Sequence, residues 1–373
     1  MNFLSFRYLA FALIACACAT GHAIEKQKNK RHPKPSVIAV ENYSKNPVAM
    51  QAADGIAERM GVRPQWVRHM IGQAHKLPAV VQAMTPSAPT SIKDWGQYRD
   101  RVMVPNRIES GMRFWSRNAD TLARAEQETG VSASTIVGIL GVETQYGQNM
   151  GRYRTIDTLT TLAFDFPPTH PKARTRAAYF LQELEAFLVF AKASGRDPMS
   201  VRGSYAGAMG MAQFMPSSWL KYAVDFDGDG RIDLFQSSAD AIGSVANYLR
   251  AFQWKPGMPT HYPVAFDAQR LDLSGLLASD ILPSMTPAAM ASKGAVLAEP
   301  ALRHAGLLAL IELPNGRYAP AQYVAGTDNF YAITRYNWSS FYAMSVIELG
   351  QTVEVRRTEN QPNASYFMDK FSK

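Results

Sequence analysis

Apolar positions recur at intervals of three and four along most of the chain, the spacing of helices with one face turned inward. The stretch 48–60 reads as a helix stopped by Gly61, and Trp66, Val67, Met70 and Ile71 form the apolar stripe of a second. TPSAPTS over 85–91 breaks the pattern as a loop, and Arg107 to Thr129 reads as one long helix closed by Gly130. Ser132 is placed to cap the next helix, in which Ile136, Ile139, Leu140 and Glu143 fall at i, i+3, i+4 and i+7, and Gly147 can end it. After a Pro-rich loop over 165–174 comes a strong helix from Arg174 to Ser194, with Phe180, Leu184, Phe187 and Leu188 on one face and Gly195 as its stop. Pro216 opens a short helix to Val224, and Ser238 can cap another whose inward positions are Ile242, Val245, Ala246 and Leu249. The texture then changes. Residues 260–327 are short apolar pieces broken by Pro, Gly and Asp, which predicts a small β-containing subdomain. Asn329 to Gly350 returns to the helical period, and 351–373 reads as a polar tail.

With 373 residues, 47% of them apolar and 19% charged, the chain can bury a sizeable core and lies far from the composition of disorder. Its two cysteines, Cys16 and Cys18, fall in the first twenty residues, which excludes a disulfide scaffold or a Cys-ligated zinc site for the rest. The net charge of +8 is concentrated: residues 24–36 carry five Lys/Arg against Glu25, a net +4, and Arg7 adds one, leaving +3 for the body. That excludes the footprint of a nucleic-acid binder. The basic stretch reads as a solvated tether, which could also favour an anionic surface.

MNFLSFR is a short basic segment, followed by the apolar run Tyr8 to Ala15. Leu13-Ile14-Ala15-Cys16 has the form of a bacterial lipobox, with Cys16 as the lipidated residue; cleavage after Ala23 is the alternative. Either way, 1–23 is a secretory leader and 24–40 a tether, so the body is expected outside the cytoplasm. No later run approaches the ~20 apolar residues that span a bilayer.

Three constellations carry chemistry. Asp225-Phe-Asp227-Gly-Asp229-Gly230-Arg231-Ile-Asp233-Leu-Phe-Gln236 follows the calcium-loop spacing at every position but the last. Alternate carboxylates converge on one hard cation, Gly230 permits the sharp turn, and the Arg231 carbonyl can add a ligand. Gln236 replaces the bidentate Glu, and Asp240 can supply a distal carboxylate. A solvated acidic turn is the plainer reading. Glu143 is a carboxyl on an apolar helix face, where ionisation is costly and the pKa should rise towards the range a general acid needs. A buried Glu held by a neighbour is the alternative. The loop Gly203–Phe214, GSYAGAMGMAQF, is lean enough for a ligand to approach its backbone, with Ser204 and Gln213 as neutral hydrogen-bonding groups and Tyr205 and Phe214 as stacking faces. A tight helix crossing would use the same small residues.

Gly141-Val-Glu-Thr-Gln-Tyr-Gly147, the loop continuing through GMAQFMPSS, the calcium-type loop, Ala241 to Tyr248 (AIGSVANY) and Tyr331 to Asn337 (YAITRYN) keep their order and spacing over roughly residues 45–350. Together they closely resemble the membrane-bound lytic murein transglycosylase B family. The resemblance implies a mainly α (α+β) fold: a lysozyme-like core (131–164, 201–259 and 328–350, with the calcium loop at 225–240), a helical subdomain (41–130 and 165–200) and the small β subdomain (260–327). It implies cleavage of the β-1,4 bond between N-acetylmuramic acid and N-acetylglucosamine in peptidoglycan, leaving a 1,6-anhydromuramoyl end. Glu143 takes the place of the single catalytic acid and base. Ser204, Gln213, Tyr248, Tyr336 and Asn337 take those of substrate contacts. Arg176 follows less closely, because Thr175 stands where the family has the first of two arginines. The resemblance further implies structural Ca2+ held by Asp225, Asp227, Asp229, Arg231 and Asp240, and a periplasmic monomer that acts on glycan strands, held to outer-membrane lipid through Cys16. The alternatives are a hydrolytic muramidase on the same fold and a non-catalytic peptidoglycan-binding protein.

Overall fold

The computed structural model describes residues 41–86 and 92–359. The leader with Cys16, the tether over 24–40 and the last fourteen residues, 360–373, lie outside them. In chain order the helices are α1 (Pro47–Met60), α2 (Pro64–Gly72), α3 (Pro78–Met84), α4 (Trp95–Val102), α5 (Pro105–Arg117), α6 (Ala119–Thr129), α7 (Ala133–Thr144), α8 (Thr155–Phe164), α9 (Ala173–Ser194), α10 (Pro216–Tyr222), α11 (Ser238–Ala251), α12 (Leu273–Leu277), α13 (Pro287–Ser292), α14 (Glu299–Leu302), α15 (Asp328–Thr334) and α16 (Ser340–Glu359). The strands are β1 (Tyr153–Arg154), β2 (Arg202–Gly203), β3 (His261–Phe266), β4 (Ala295–Leu297), β5 (Ala309–Asn315) and β6 (Ala319–Gly326).

Five sequence expectations are corrected. The helix expected over 107–129 is two, because Asn118 leaves helical geometry (φ −121°, ψ 24°) and turns its side-chain amide back onto the Phe114 carbonyl. Helix α10 stops at Tyr222, two residues short of Val224. The cap of α11 is Ser237, whose hydroxyl accepts from the Asp240 amide, and Ser238 is already helical. The helix expected over 329–350 is interrupted at 335–339, where Ser339 N–H bonds to the Asn337 carbonyl and the Ser339 hydroxyl caps the Tyr342 amide. The polar tail begins later than residue 351: α16 runs to Glu359 and buries Val353.

One continuous apolar core joins the helical regions before and after residue 130. A second, smaller core of Leu276, Met290, Leu297, Leu308, Leu310 and Ala325 belongs to 260–327. There an antiparallel sheet in the order β4-β3-β6-β5 covers α12 to α14. Along β5 the side chains alternate: Ala309, Ile311 and Leu313 enter the main core, and Leu308 and Leu310 enter the small one. A strand buried on both faces reads as the unbroken apolar run seen there.

Helix α7 is the centre of the molecule. Ten of its twelve residues are buried, and the two that are not are Ser134 and Glu143. It is therefore apolar nearly all round rather than along one stripe. Helix α16 lies antiparallel against it at unusually close range. A Cβ on Gly138 would stand 2.1 Å from the Val346 carbonyl oxygen, and one on Gly350 would stand 2.0 Å from that of Ser134. Glycines allow the two backbones to touch, and continuing the same antiparallel pairing along the helices brings Tyr342 beside Glu143.

Candidate active site

Glu143 sits in the last turn of α7. The helix ends one residue later, at Thr144, ahead of the expected Gly147, and is capped by left-handed Gln145 (φ 51°) followed by left-handed Tyr146 (φ 59°). The Tyr146 amide returns to the Leu140 carbonyl, and the Gln145 amide returns to Gly141. Non-glycine residues in this conformation store strain, a feature that clusters at functional sites. The turn is held by tertiary contacts: Tyr146 stacks on Phe114 with ring centroids 5.1 Å apart, and its phenol oxygen would lie 2.5 Å from a Cβ on Gly141.

The carboxyl of Glu143 accepts a 2.6 Å hydrogen bond at Oε1 from the Tyr342 hydroxyl. The residue keeps a solvent-reachable edge, yet the protein crowded around its carboxyl pushes the pKa up to about 7. Desolvation is the dominant cause, and the Tyr342 bond opposes it by favouring the charged form. Phenols surround it: Tyr98, Tyr248, Tyr336 and Tyr342 all feel the Glu143 charge, and burial raises the pKa of each. Tyr336 donates to the Ala212 carbonyl at 2.8 Å and Tyr248 to that of Arg335 at 2.7 Å, with their rings 4.7 Å apart.

The Gly/Ala-rich segment folds as a tight loop on the other side. Bridges link Gly203 to Met209 and Met209 to Phe214, and β2 pairs with β1 at Tyr153↔Gly203. Left-handed Gln213 (φ 49°) donates its amide nitrogen to the carbonyls of Gly210 (2.9 Å) and Met150 (3.2 Å), which fixes the side chain at the end of the Glu143 turn. Phe214 packs against Tyr248 and Tyr336, at 5.5 and 5.8 Å. Tyr248 and Tyr336 are thus brought within the field of Glu143, and Gln213 stands next to Phe214, which packs on both rings.

The other expected contacts stand differently. The buried Ser204 hydroxyl accepts from the amides of Ala206 and Ala208 and so braces its own loop. Asn337 is buried beside Tyr336, with an Oδ1 that has no hydrogen-bond partner among the described residues. Arg176 is in the first turn of α9, and Tyr179 couples electrostatically both to it and to Tyr248. Tyr342 and Tyr98 were missed by sequence reasoning. Only the pairing of α7 with α16 makes Tyr342 a partner, and no local signal marks either.

In the acidic loop, carboxylate oxygens of Asp225, Asp227 and Asp229 lie within 4.8 Å of one another. Asp225 also accepts from the amides of Gly228 and Gly230, and Asp227 from the Ser237 hydroxyl. An all-oxygen set of this kind suits a hard divalent cation. Asp240 departs from expectation: it is buried, and its two oxygens accept from the amides of Phe226 and Asp233, each at 2.7 Å. It braces the loop's two ends and stands outside the carboxylate trio. The Arg231 amide bonds to Asp229.

A glutamate with a raised pKa, enclosed by phenols and flanked by a Gly/Ala-rich loop in a mostly helical, lysozyme-like frame, defines a glycan-cleaving enzyme. Comparison with known proteins narrows this. A sequence model described as the Transglycosylase SLT domain matches residues 45–351. The membrane-bound lytic murein transglycosylase B of Escherichia coli (strain K12) is 38% identical over 339 residues, 85% of this chain and 86% of that protein. The Escherichia coli lytic transglycosylase Slt35 in complex with bulgecin A superposes with a TM-score of 0.75 at 39% identity, covering 85% of this chain and 95% of that one. Slt35 in complex with calcium gives 0.74 at 38% over the same shares. The chain belongs to the SLT-domain transglycosylase family and is a lytic transglycosylase. Among the described residues no helix is long and apolar enough to cross a membrane.

Proposed function

We propose that the chain cleaves the β-1,4 bond between N-acetylmuramic acid and N-acetylglucosamine in peptidoglycan, with Glu143 acting first as acid and then as base. The observation that carries this is the Glu143 carboxyl at about 7, held by one phenol. A carboxyl there is protonated often enough near neutral pH to donate and basic enough to take a proton back. In the first step Glu143 gives its proton to the leaving glycosidic oxygen while the substrate's own N-acetyl oxygen closes on the anomeric carbon. In the second, Glu143 removes the proton of the C6 hydroxyl, whose oxygen displaces the N-acetyl oxygen and closes the 1,6-anhydro ring. The groups that feel the Glu143 charge are phenols, and burial keeps them in the protonated form, which is a poor base for activating water.

Gln213, Tyr248, Tyr336 and Asn337 contact the sugars in this reading. The unmatched Asn337 oxygen supports it, since a buried acceptor without a partner is costly unless a ligand or water meets it. Ser204 shapes the loop, and Arg176 meets the peptide or lactyl side of the substrate. Asp225, Asp227 and Asp229, with the Arg231 carbonyl, hold a calcium ion whose charge offsets their mutual repulsion and pins the loop. The chain acts in the periplasm as a monomer on glycan strands, tied to outer-membrane lipid through Cys16.

Digestion of purified peptidoglycan tests the reaction. Muropeptides lighter by one water than reducing-end products are expected, and full-mass reducing ends would overturn it in favour of hydrolysis. Incorporation of labelled palmitate, lost in Cys16→Ala, tests the anchor.

A further inference from the structure

The residue after Glu143 links the end of α7 to the acidic loop. Thr144 is buried, and its hydroxyl donates to the Met211 carbonyl at 2.8 Å while accepting from the Gly147 amide at 2.9 Å. It therefore ties the strained end of α7 to the loop that carries Gln213. Met211 in turn donates its own amide to the Leu234 carbonyl at 2.8 Å. Leu234 is fully buried and follows directly on Asp233 of the acidic loop. The approach is close: Gly210 is left-handed (φ 71°), and a Cβ there would lie 2.8 Å from the same Leu234 oxygen. Two hydrogen bonds and one residue's backbone thus separate the end of the cation loop from the residue next to Glu143.

We infer that Thr144 is a positioning residue that couples the cation loop to the glycan cleft, so that filling either site tightens binding at the other. This rests on the roles proposed above for Glu143 and for the acidic loop. The physical cause is a shared order. Without a cation, three carboxylates within 4.8 Å repel and loosen the loop. Leu234 then no longer holds Met211 in one place, and the Met211 carbonyl no longer anchors Thr144. Glycan bound against Gln213 fixes the same segment from the other side. Binding couplings of this sort are reciprocal.

The test is calorimetric titration of calcium into the full chain carrying Glu143→Gln, with and without a saturating tetrasaccharide of alternating N-acetylglucosamine and N-acetylmuramic acid. Calcium affinity is expected to rise at least about five-fold with the sugar, the lower end of ordinary couplings. Adding Thr144→Val should leave calcium bound but bring the ratio close to one, and Thr144→Ser should restore it. A merely structural threonine would change stability without moving this ratio. Calcium binding with no effect of sugar, or a ratio unchanged by Thr144→Val, overturns the coupling alone. No calcium binding at all overturns the cation site as well. Should Thr144→Val fail to fold, amide exchange in the unaltered chain decides. Peptides covering 143–150 and 209–214 are expected to exchange faster once calcium is stripped, and unchanged exchange overturns the inference.

Discussion

The Tyr342 hydroxyl donates to Glu143 Oε1 at 2.6 Å across the α7–α16 contact, although the two residues are 199 positions apart in the chain. The bond favours the charged carboxylate, and the surrounding burial favours the neutral acid. The balance leaves the group near neutrality. Replacing Tyr342 by Phe removes the term that lowers the pKa. The alkaline limb of the kcat/KM profile should therefore move to higher pH, and the rate at pH 7 should fall by about ten-fold, the scale of one hydrogen bond to a charged group. A pH–rate series on Tyr342→Phe checks both.

Glu143→Gln should fold and lose activity by at least about a hundred-fold, the lower bound for removing a positioned acid or base. It should also change the pH dependence of stability. The ordinary value of the carboxyl is 4.5 and its folded value about 7. Its contribution to stability is thus complete below about 4.5 and is lost as the pH rises through about 7. The variant carries no such loss. Its stability should exceed the parent's above pH 5, with the difference levelling off above pH 8 at about 3 kcal/mol, read from melting curves across the pH range.

The α7–α16 crossing depends on two hydrogen atoms in place of side chains. A methyl group on Gly138 would meet the Val346 carbonyl oxygen at 2.1 Å, where backbone cannot give way cheaply. Gly138→Ala should cost about 1–3 kcal/mol by overpacking. Because the same crossing sets Tyr342 against Glu143, it should also lower kcat more than it raises KM. Thermal melting and steady-state kinetics on one preparation check the pair of effects.

Calcium at 100 times its dissociation constant should stabilise the chain by about 2.7 kcal/mol, and a chelator should remove that gain. Asp227→Asn takes one charge from the trio while leaving an oxygen, so calcium should bind more weakly and the metal-free form should melt higher than the parent's. Melting curves with calcium and with EDTA distinguish this from general destabilisation, which would lower both.

The elements that were legible from sequence are those fixed by neighbours in the chain. Gly61, Gly130 and Gly195 stop their helices in left-handed geometry because a residue without Cβ adopts it at little cost. Ser132 caps α7 through its own hydroxyl, three residues from the amide it accepts. The acidic loop is a local spacing, and its three carboxylates converge as that spacing requires. Misread were the places where a local competitor or a distant partner decides: Asn118 turning on its own helix, the interruption at 335–339, and Asp240, drawn inward to two backbone amides rather than to the other carboxylates.

The sequence by itself determined that this chain is mostly helical, that an acidic loop follows a Gly/Ala-rich loop, and that Glu143 lies in an apolar helix. These follow from periodicity, turn residues and the cost of burying charge, all readable within a few positions. Only the tertiary structure decided what surrounds that carboxyl. Its hydrogen-bond partner comes from α16, and its phenol enclosure from four separate segments. Desolvation and hydrogen bonding act through space, so the pKa that makes Glu143 usable belongs to the packed molecule and to no stretch of chain alone.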